Sequence, residues 1–380
     1  MTTTLRVVVD DIIAPGPTGV GRYAEELTRE LIATAPFGCE VSGVVSSSAS
    51  TEYDRLATLL PGMVDLFKSA LARRELQLAW QHGITRLPGS GMVHAPSLLA
   101  PLSKHDPVND VGTQTVVTVH DAVPWTHPHL LKNRQVSWHR SMLKRAHRYA
   151  DAIVVPSYSV AEQIGDVFDF GERVRVIGGA VSSKLVVPVD ATERAAALGL
   201  PERYLFTLSS LHPRKGLREL LTSLATGDDS GLPLVVAGTP ESGHEDIRSV
   251  AAELGLDADR VIILGVLTDA ELSVVYDRAT VFVFPSLAEG FGLPVIEAFS
   301  FGTPVVHSDS PAVVEVAAGA GVTVSTVDMQ TYPERLAARI ADIVRDTDLA
   351  GRLAVSGSDR AGAFAWRDSA QRVWQLHADL

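Results

Sequence analysis

A single cysteine, Cys39, is all the chain has of that residue. One thiol can form neither an internal disulfide nor a four-cysteine metal site, so Cys39 reads as a core filler in a predicted element. No run of about 18 consecutive apolar residues occurs, and no transmembrane helix is expected. The N-terminus, MTTTLRVVVDD, lacks a charged segment followed by a long apolar stretch. It does not read as a secretory leader, and a cytoplasmic location is expected. Positive charge is in deficit: 33 Lys and Arg stand against 45 Asp and Glu, a net charge of −12. That balance argues against a general nucleic-acid binder. Short-period repeats and low-complexity tracts are absent.

What is present is a globular composition. Of 380 residues, 46% are apolar and 21% charged, with both signs scattered. The length suits two domains. Short apolar runs that read as buried strands alternate with helical patterns, the rhythm of a parallel α/β sheet. In the first half the strands are LRVVVDD, EVSGVVSS, GMVHAP, TVVTVHD, DAIVVPS and RVRVIGG. Helices are expected over RYAEELTRELIATA, around LFKSALARRELQLAWQ, and from about Lys132 to Ala150. VSSKLVVPVDATERAAALGLPE carries mixed turn signals and reads as a connection. The rhythm then restarts with RYLFTLSS, LPLVVAG, RVIILG, TVFVFPS, TPVVHSD and GVTVS. Thr268 and Glu271 have capping-box spacing. WRDSAQRVWQLHADL reads as a closing helix. The expected divisions are 1–185, 186–365 and a terminal helix over 366–380, with two doubly wound α/β domains. Ligands of such sheets bind beyond the carboxyl ends of the strands.

GPTGVGRY, with Gly16, Gly19 and Gly21, follows the first strand and opens a helix. A dinucleotide fingerprint requires G-x-G-x-x-G and an acid closing the second strand. Here the order is G-x-x-G-x-G, and the second strand runs into Ser46, Ser47 and Ser48. A substrate-contacting loop is therefore expected rather than a nicotinamide site. His120 and Asp121 stand just past a buried strand, where such a sheet presents functional groups; His94 is similarly placed. LLKNRQVSWHRSMLKRAHRYA carries six Lys or Arg between Lys132 and Arg148 and no acid. Arg140, Lys144 and Arg148 share one helix face. It reads either as a solvated face or as a surface for an anionic lipid headgroup or phosphorylated acceptor.

In the second half, LSSLHPRKGLREL puts Arg214 and Lys215 beyond a strand. Adjacent cations there can hold a diphosphate, Arg by a bidentate contact and Lys as a point charge. In PSLAEGFGLPVIEAF, Pro294 suits a first helical turn, while Gly302 and Pro304 suit its end. Glu289 then lies in a loop and Glu297 about one turn into a short helix. They flank a helix start with backbone N–H groups from Phe291, Gly292 and Leu293. Such a site can gather an anion and the hydroxyls of a sugar nucleotide.

The E-x7-E block in PSLAEGFGLPVIEAFSFGTPVV closely resembles the retaining glycosyltransferases of family 4, which have the GT-B fold of two Rossmann-like domains facing a central cleft. TGVGRY, TVVTVHD, ADAIVVPS, HPRKGLRELL and LGVLTDAELSVVYDRATVFVFPS match in order, and the resemblance covers nearly the whole chain. It implies that Lys215 binds the donor diphosphate, that Glu289 contacts the donor sugar and that Glu297 binds the ribose diol. It implies backbone contacts from Phe291, Gly292 and Leu293, and His120, with Asp121 beside it, near the transferred sugar. Gly19 and Gly21 would lie by the diphosphate, and Val266 and Leu267 by the base. The terminal helix would cross back onto the first, acceptor-side domain. Many members carry an arginine five or six residues before the lysine, where this chain has Ser210 and Ser209, so Arg214 is the expected substitute. Gly178-Gly179-Ala180-Val181 replaces the common P-N-G-V turn.

The resemblance implies hexosyl transfer from a nucleotide-diphosphate sugar to a glycan or lipid-linked acceptor. The anomeric configuration is retained and no cofactor is needed. The P-R-K form leans towards mannosyl or similar transfer. Lys215, Arg214 and the helix N-terminus would take up leaving-group charge, so no metal is expected. The acid pairs Asp10-Asp11 and Asp228-Asp229 read as turn and capping residues. Paired carboxylates also suggest glycoside hydrolysis, but neither glutamate need be a nucleophile here. A nucleotide-sugar epimerase and an inactive sugar-nucleotide-binding partner subunit remain as alternatives.

Overall fold

The computed structural model describes residues 2–16, 18–106, 109, 112–225, 230–239 and 246–380. The chain forms two units, Met1–Gly179 with Ala365–Leu380, and Ala180–Phe364. The first changeover falls within the Gly178-Gly179-Ala180-Val181 turn.

Among the described residues, the first unit holds a parallel sheet of seven strands: β1 (Thr3–Val8), β2 (Cys39–Ser47), β3 (Leu66–Ala72), β4 (Met92–Ala95), β5 (Gln114–Thr118), β6 (Ala152–Val155) and β7 (Val174–Val176). Their order is β3-β2-β1-β4-β5-β6-β7. Central strands are covered on both faces, which is why they read as unbroken apolar runs. Leu5, Val7, Val8 and Val9, for example, are all buried.

Three expectations are corrected here. Leu66–Ala72 is an edge strand, and the helix is confined to Arg73–His82. The apolar spacing of this stretch fits either period, and pairing with β2 (Gly43↔Leu66, Val44↔Phe67) decides for strand. Gly19 and Gly21 belong to the first turn of the helix Gly19–Ala33, because Thr18 caps it by accepting from the Gly21 N–H at 2.9 Å. Cys39 opens β2 and is partly exposed.

The second unit holds, among described residues, a parallel sheet of six strands: β8 (Leu205–Leu208), β9 (Leu234–Ala237), β10 (Val261–Gly265), β11 (Val281–Phe284), β12 (Val305–Ser308) and β13 (Val322–Val324). Its order is β10-β9-β8-β11-β12-β13. An aromatic cluster of Phe206, Tyr276, Phe282, Phe284 and Phe299 fills the core on one face. The Thr268–Glu271 capping box starts the helix Asp269–Arg278.

The helix Trp366–Asp379 packs on the first unit. Trp374 Nε1 donates to the Leu31 carbonyl at 3.1 Å, Ser369 Oγ donates to the Gly178 carbonyl at 2.8 Å, and Trp366 meets Tyr23 edge-on. In both sheets the strand order reverses beside the first strand, at β1/β4 and at β8/β11. Connections leave in opposite directions there, which opens a crevice beyond the carboxyl ends.

Candidate active site

Arg214, Lys215 and Glu289 meet at the β8/β11 crevice of the second unit. After β8 the chain makes a single 3-10 turn, Pro213–Lys215. His212 Nδ1 accepts from the Arg214 N–H at 3.2 Å and caps that turn. Gly216 follows with φ +63°, where a Cβ would lie 2.2 Å from the Pro285 carbonyl oxygen. Only glycine allows this approach. The turn is thereby seated against the exit of β11, where Leu287 N–H donates to the Arg214 carbonyl at 2.8 Å.

Seating the turn brings the side chains together. Lys215 Nζ lies 2.7 Å from Glu289 Oε1, and Arg214 Nη1 lies 3.5 Å from Oε2. Ser286 Oγ donates to Oε1 at 2.5 Å. Burial raises the pKa of Glu289, but Lys215 and then Arg214 outweigh it, helped by the hydrogen bonds, and hold the carboxyl down to about 2. Glu289 is an anion at any physiological pH.

Beyond Glu289, Gly292 takes φ +102° and caps the helix Leu293–Ser300, with Pro294 in its first turn. The Phe291 side chain is buried edge-on against Phe364, so Phe291 can offer a ligand little but its backbone. Leu293 is partly buried in the core. Glu297 is only 2% exposed, and Tyr276 Oη donates to its Oε2 at 3.0 Å. Val266 and Leu267 follow the edge strand β10; Val266 is 53% exposed and Leu267 packs inward.

In the first unit the crevice lies at β1/β4. Gly21 is packed tightly, since a Cβ there would meet the Asp11 carbonyl oxygen at 2.8 Å, whereas a Cβ at Gly19 would meet nothing within 4 Å. His120, after β5, places Nε2 2.7 Å from the Pro96 carbonyl. A carbonyl only accepts, so Nε2 carries the proton. Burial lowers the His120 pKa, and the Pro96 bond with the Asp11 and Asp121 charges offsets part of this. Asp121 Oδ1 accepts from the Val123 N–H at 3.1 Å, a local turn bond.

Asp10 and Asp11 were expected as turn and capping residues. They do open a 3-10 turn, Asp10–Ile13, and they also pair with Arg73: Nη1 with Asp10 Oδ2, and Nη2 with Asp11 Oδ1 at 2.6 Å. Ser46 N–H and Ser97 Oγ supply further donors to Asp10 and Asp11 at 2.8 and 2.6 Å. Asp228-Asp229 lie outside the described residues. Among described residues, no group of three or more His, Cys, Asp or Glu is placed to hold a metal ion.

On the helix Asn133–Tyr149, Arg140, Lys144 and Arg148 are exposed. Arg145 turns inward to the Leu102 carbonyl. Among described residues no helix is long and apolar enough to cross a membrane.

Two family models match in tandem: Glycosyltransferase Family 4 over residues 17–184, and Glycosyl transferases group 1 over residues 190–359. The chain belongs to the family 4, group 1 glycosyltransferases. As a glycosyltransferase it is assigned to transfer rather than to epimerisation.

Among its relatives is the O-antigen chain mannosyltransferase B of Escherichia coli, 26% identical over 92% of this chain and 93% of that one. The serotype-specific mannosyltransferase WbdA of Escherichia coli is 31% identical over 55% of this chain, a match that spans only 27% of its own length. Among solved structures, sucrose-phosphate synthase from Thermosynechococcus elongatus matches with TM-score 0.74 at 21% identity, covering 100% of this chain and 99% of that one. Anabaena HepE with UDP and glucose matches with TM-score 0.74 at 18% identity, each chain covered in full. These likenesses show the GT-B fold.

Four residues that position the charged side chains of the two units escaped the sequence reading. Gly216 and Ser286 sit beside residues that were singled out, and only their contacts distinguish them. Arg73 and Tyr276 carried no local signal, because their partners are 62–63 and 21 residues away.

Proposed function

We propose that the chain transfers a hexosyl group, of the mannosyl type, from a nucleotide-diphosphate sugar to a glycan or lipid-linked acceptor, with retention at the anomeric carbon. The observation that carries this reading is the cluster of Lys215, Arg214 and Glu289 at the β8/β11 crevice, beside the helix start at Leu293. Lys215 and Arg214 bind the diphosphate, Glu289 the sugar and Glu297 the ribose. Val266 and Leu267 flank the base, and the backbone of Phe291–Leu293 contacts sugar and phosphate. The first unit is read as the acceptor side, carrying His120 and Gly19 after its own strands β5 and β1. The names of the relatives support the mannosyl assignment: two are mannosyltransferases, and a third is an MMP alpha-(1->4)-mannosyltransferase of Mycolicibacterium hassiacum. The UDP bound in HepE supports a nucleotide donor.

In the reaction the acceptor oxygen bonds to the anomeric carbon as the bond from that carbon to the diphosphate oxygen breaks. The acceptor proton passes to the departing diphosphate. Lys215, Arg214 and the helix N-terminus take up the charge that develops on the leaving group, so the scheme needs no metal. Losing one such donor costs about 10²–10³ in rate.

The test pairs a thermal-shift screen of UDP, GDP, dTDP and ADP sugars with turnover by Lys215→Ala. A bound donor raises the melting temperature by mass action. NMR of the product should show the donor's anomeric configuration. Unchanged turnover by a folded Lys215→Ala, or an inverted product, would overturn the reading.

The acceptor reading extends to the Arg140, Lys144 and Arg148 stripe, proposed to rest on anionic headgroups around a lipid-linked acceptor. Each cation near such a surface contributes about 1 kcal/mol. Sedimentation with phosphatidylglycerol vesicles should be lost in the triple glutamine variant. Equal sedimentation of the two proteins would remove the membrane contact and leave the donor chemistry standing.

A further inference from the structure

Tyr276 lies in the helix Asp269–Arg278 and is wholly buried. Its ring is held by three aromatic neighbours. Phe301 stacks on it at 5.7 Å and 8°, while Phe206 and Phe282 approach edge-on at 5.0 and 5.3 Å. Its backbone is fixed as well, since Thr303 Oγ1 donates to the Tyr276 carbonyl at 2.7 Å. A ring held in this way has one polar atom, and that atom bonds Glu297 Oε2 at 3.0 Å.

Glu297 is nearly closed off from water, so its carboxylate needs partners inside the protein. A carboxylate offers about four lone-pair directions over two oxygens. Tethering Oε2 to a phenol held on three sides constrains the plane of the carboxylate. The direction in which it can accept from two adjacent hydroxyls is constrained with it. A phenylalanine would fill the same volume and remove that constraint.

We propose that Tyr276 is a positioning residue for donor recognition: its hydroxyl orients Glu297 so that the enzyme prefers a ribonucleotide donor over the 2′-deoxy analogue. This rests on the reading in which Glu297 receives the ribose. A site built to bond a hydroxyl rejects the analogue that lacks it, because its own buried group is left unpaired.

The experiment compares the nucleotide sugar that the wild type uses best with its 2′-deoxy analogue. KM and kcat are measured for wild type, Tyr276→Phe, Glu297→Gln and Glu297→Asp, with melting temperatures alongside. The wild type should favour the ribonucleotide by about tenfold or more in kcat/KM. Tyr276→Phe should raise the ribonucleotide KM about three- to tenfold with kcat within about twofold, and the preference should collapse. Glu297→Asp keeps the charge but is one methylene too short to hold both the phenol and the diol, so its preference should collapse too. A folded Tyr276→Phe that keeps the wild-type ratio overturns the proposal and leaves the ribose reading intact. A Glu297→Asp enzyme that keeps the ratio overturns it as well, even if Tyr276→Phe does not fold. No preference in the wild type, or an unchanged ratio in Glu297→Gln, overturns the ribose reading itself, and the proposal falls with it. A lower melting temperature alone cannot imitate the expected result, because the ratio is taken on the folded enzyme.

Discussion

Lys215 and Glu289 stand on loops that leave the adjacent strands β8 and β11, and their side chains meet at 2.7 Å. The cation proposed for the diphosphate thus pairs with the carboxylate proposed for the sugar.

The pair makes the second unit sensitive to acid. The Glu289 carboxyl titrates at about 2, against its ordinary 4.5. A lowered carboxyl pKa contributes stability that is complete above pH 4.5 and is lost as pH falls towards 2. The contribution is no more than a few kcal/mol. Melting temperatures between pH 2 and 6 should fall more steeply for the wild type than for Glu289→Gln. Parallel curves would refute this.

The two helix-start glycines should separate fold from ligand contact. Gly21→Ala forces a Cβ onto the Asp11 carbonyl and should destabilise the first unit. Gly19→Ala meets open space, so its melting temperature should hold or rise slightly. If a donor phosphate approaches there, Gly19→Ala should raise donor KM without loss of stability. Thermal melts and donor kinetics on both variants check this.

Gly216→Ala should do both kinds of damage. The substitution puts a Cβ against the Pro285 carbonyl and places a non-glycine residue at φ +63°. Strain of this kind costs about 1–3 kcal/mol. Because Gly216 follows Lys215 directly, relief of that strain should also draw the lysine from Glu289. A stable variant with wild-type kinetics would contradict the packing described here.

Asp10 is wholly buried and depends on Arg73 for its charge partner. Removing one side of a buried pair costs about 3–5 kcal/mol. Arg73→Met should therefore lower the stability of the first unit strongly in urea melts. A companion Asp10→Asn should recover part of the loss, since the wholly buried charge is then gone and only the partly exposed Asp11 lacks Arg73.

Acid should also loosen the terminal helix. His377 meets His94 at 5.7 Å between ring centroids, and both are buried. Burial lowers both pKa values, His377 to about 4 and His94 well below its ordinary value, helped there by the neighbouring His377. The unfolded chain then takes up protons first, so stability is lost as pH falls below 6.5. Trp374, on the same helix, should report this by fluorescence. His377→Leu should flatten the response between pH 6.5 and 4.

Much of the architecture was legible in the residues because its causes are local. Apolar runs marked every strand of the second sheet, and Pro294 and Gly302 bracketed the helix Leu293–Ser300. The E-x7-E block and Arg214-Lys215 marked the loops that reach the crevice. The reading failed where local pattern was ambiguous. Leu66–Ala72 fits a helix or a strand, and Gly19 fits a loop or a first helical turn.

The sequence by itself determined the alternation of strands and helices, the family, and which loops carry charge, since period, turn chemistry and motif are written in neighbouring residues. Tertiary structure alone decided that Lys215 pairs with Glu289, that Arg73 neutralises Asp10, and that Tyr276 holds Glu297. Those partners lie between 21 and 74 residues apart. They meet because parallel strands are ordered by packing rather than by succession along the chain, and a side chain's charge partner is whatever that order sets beside it.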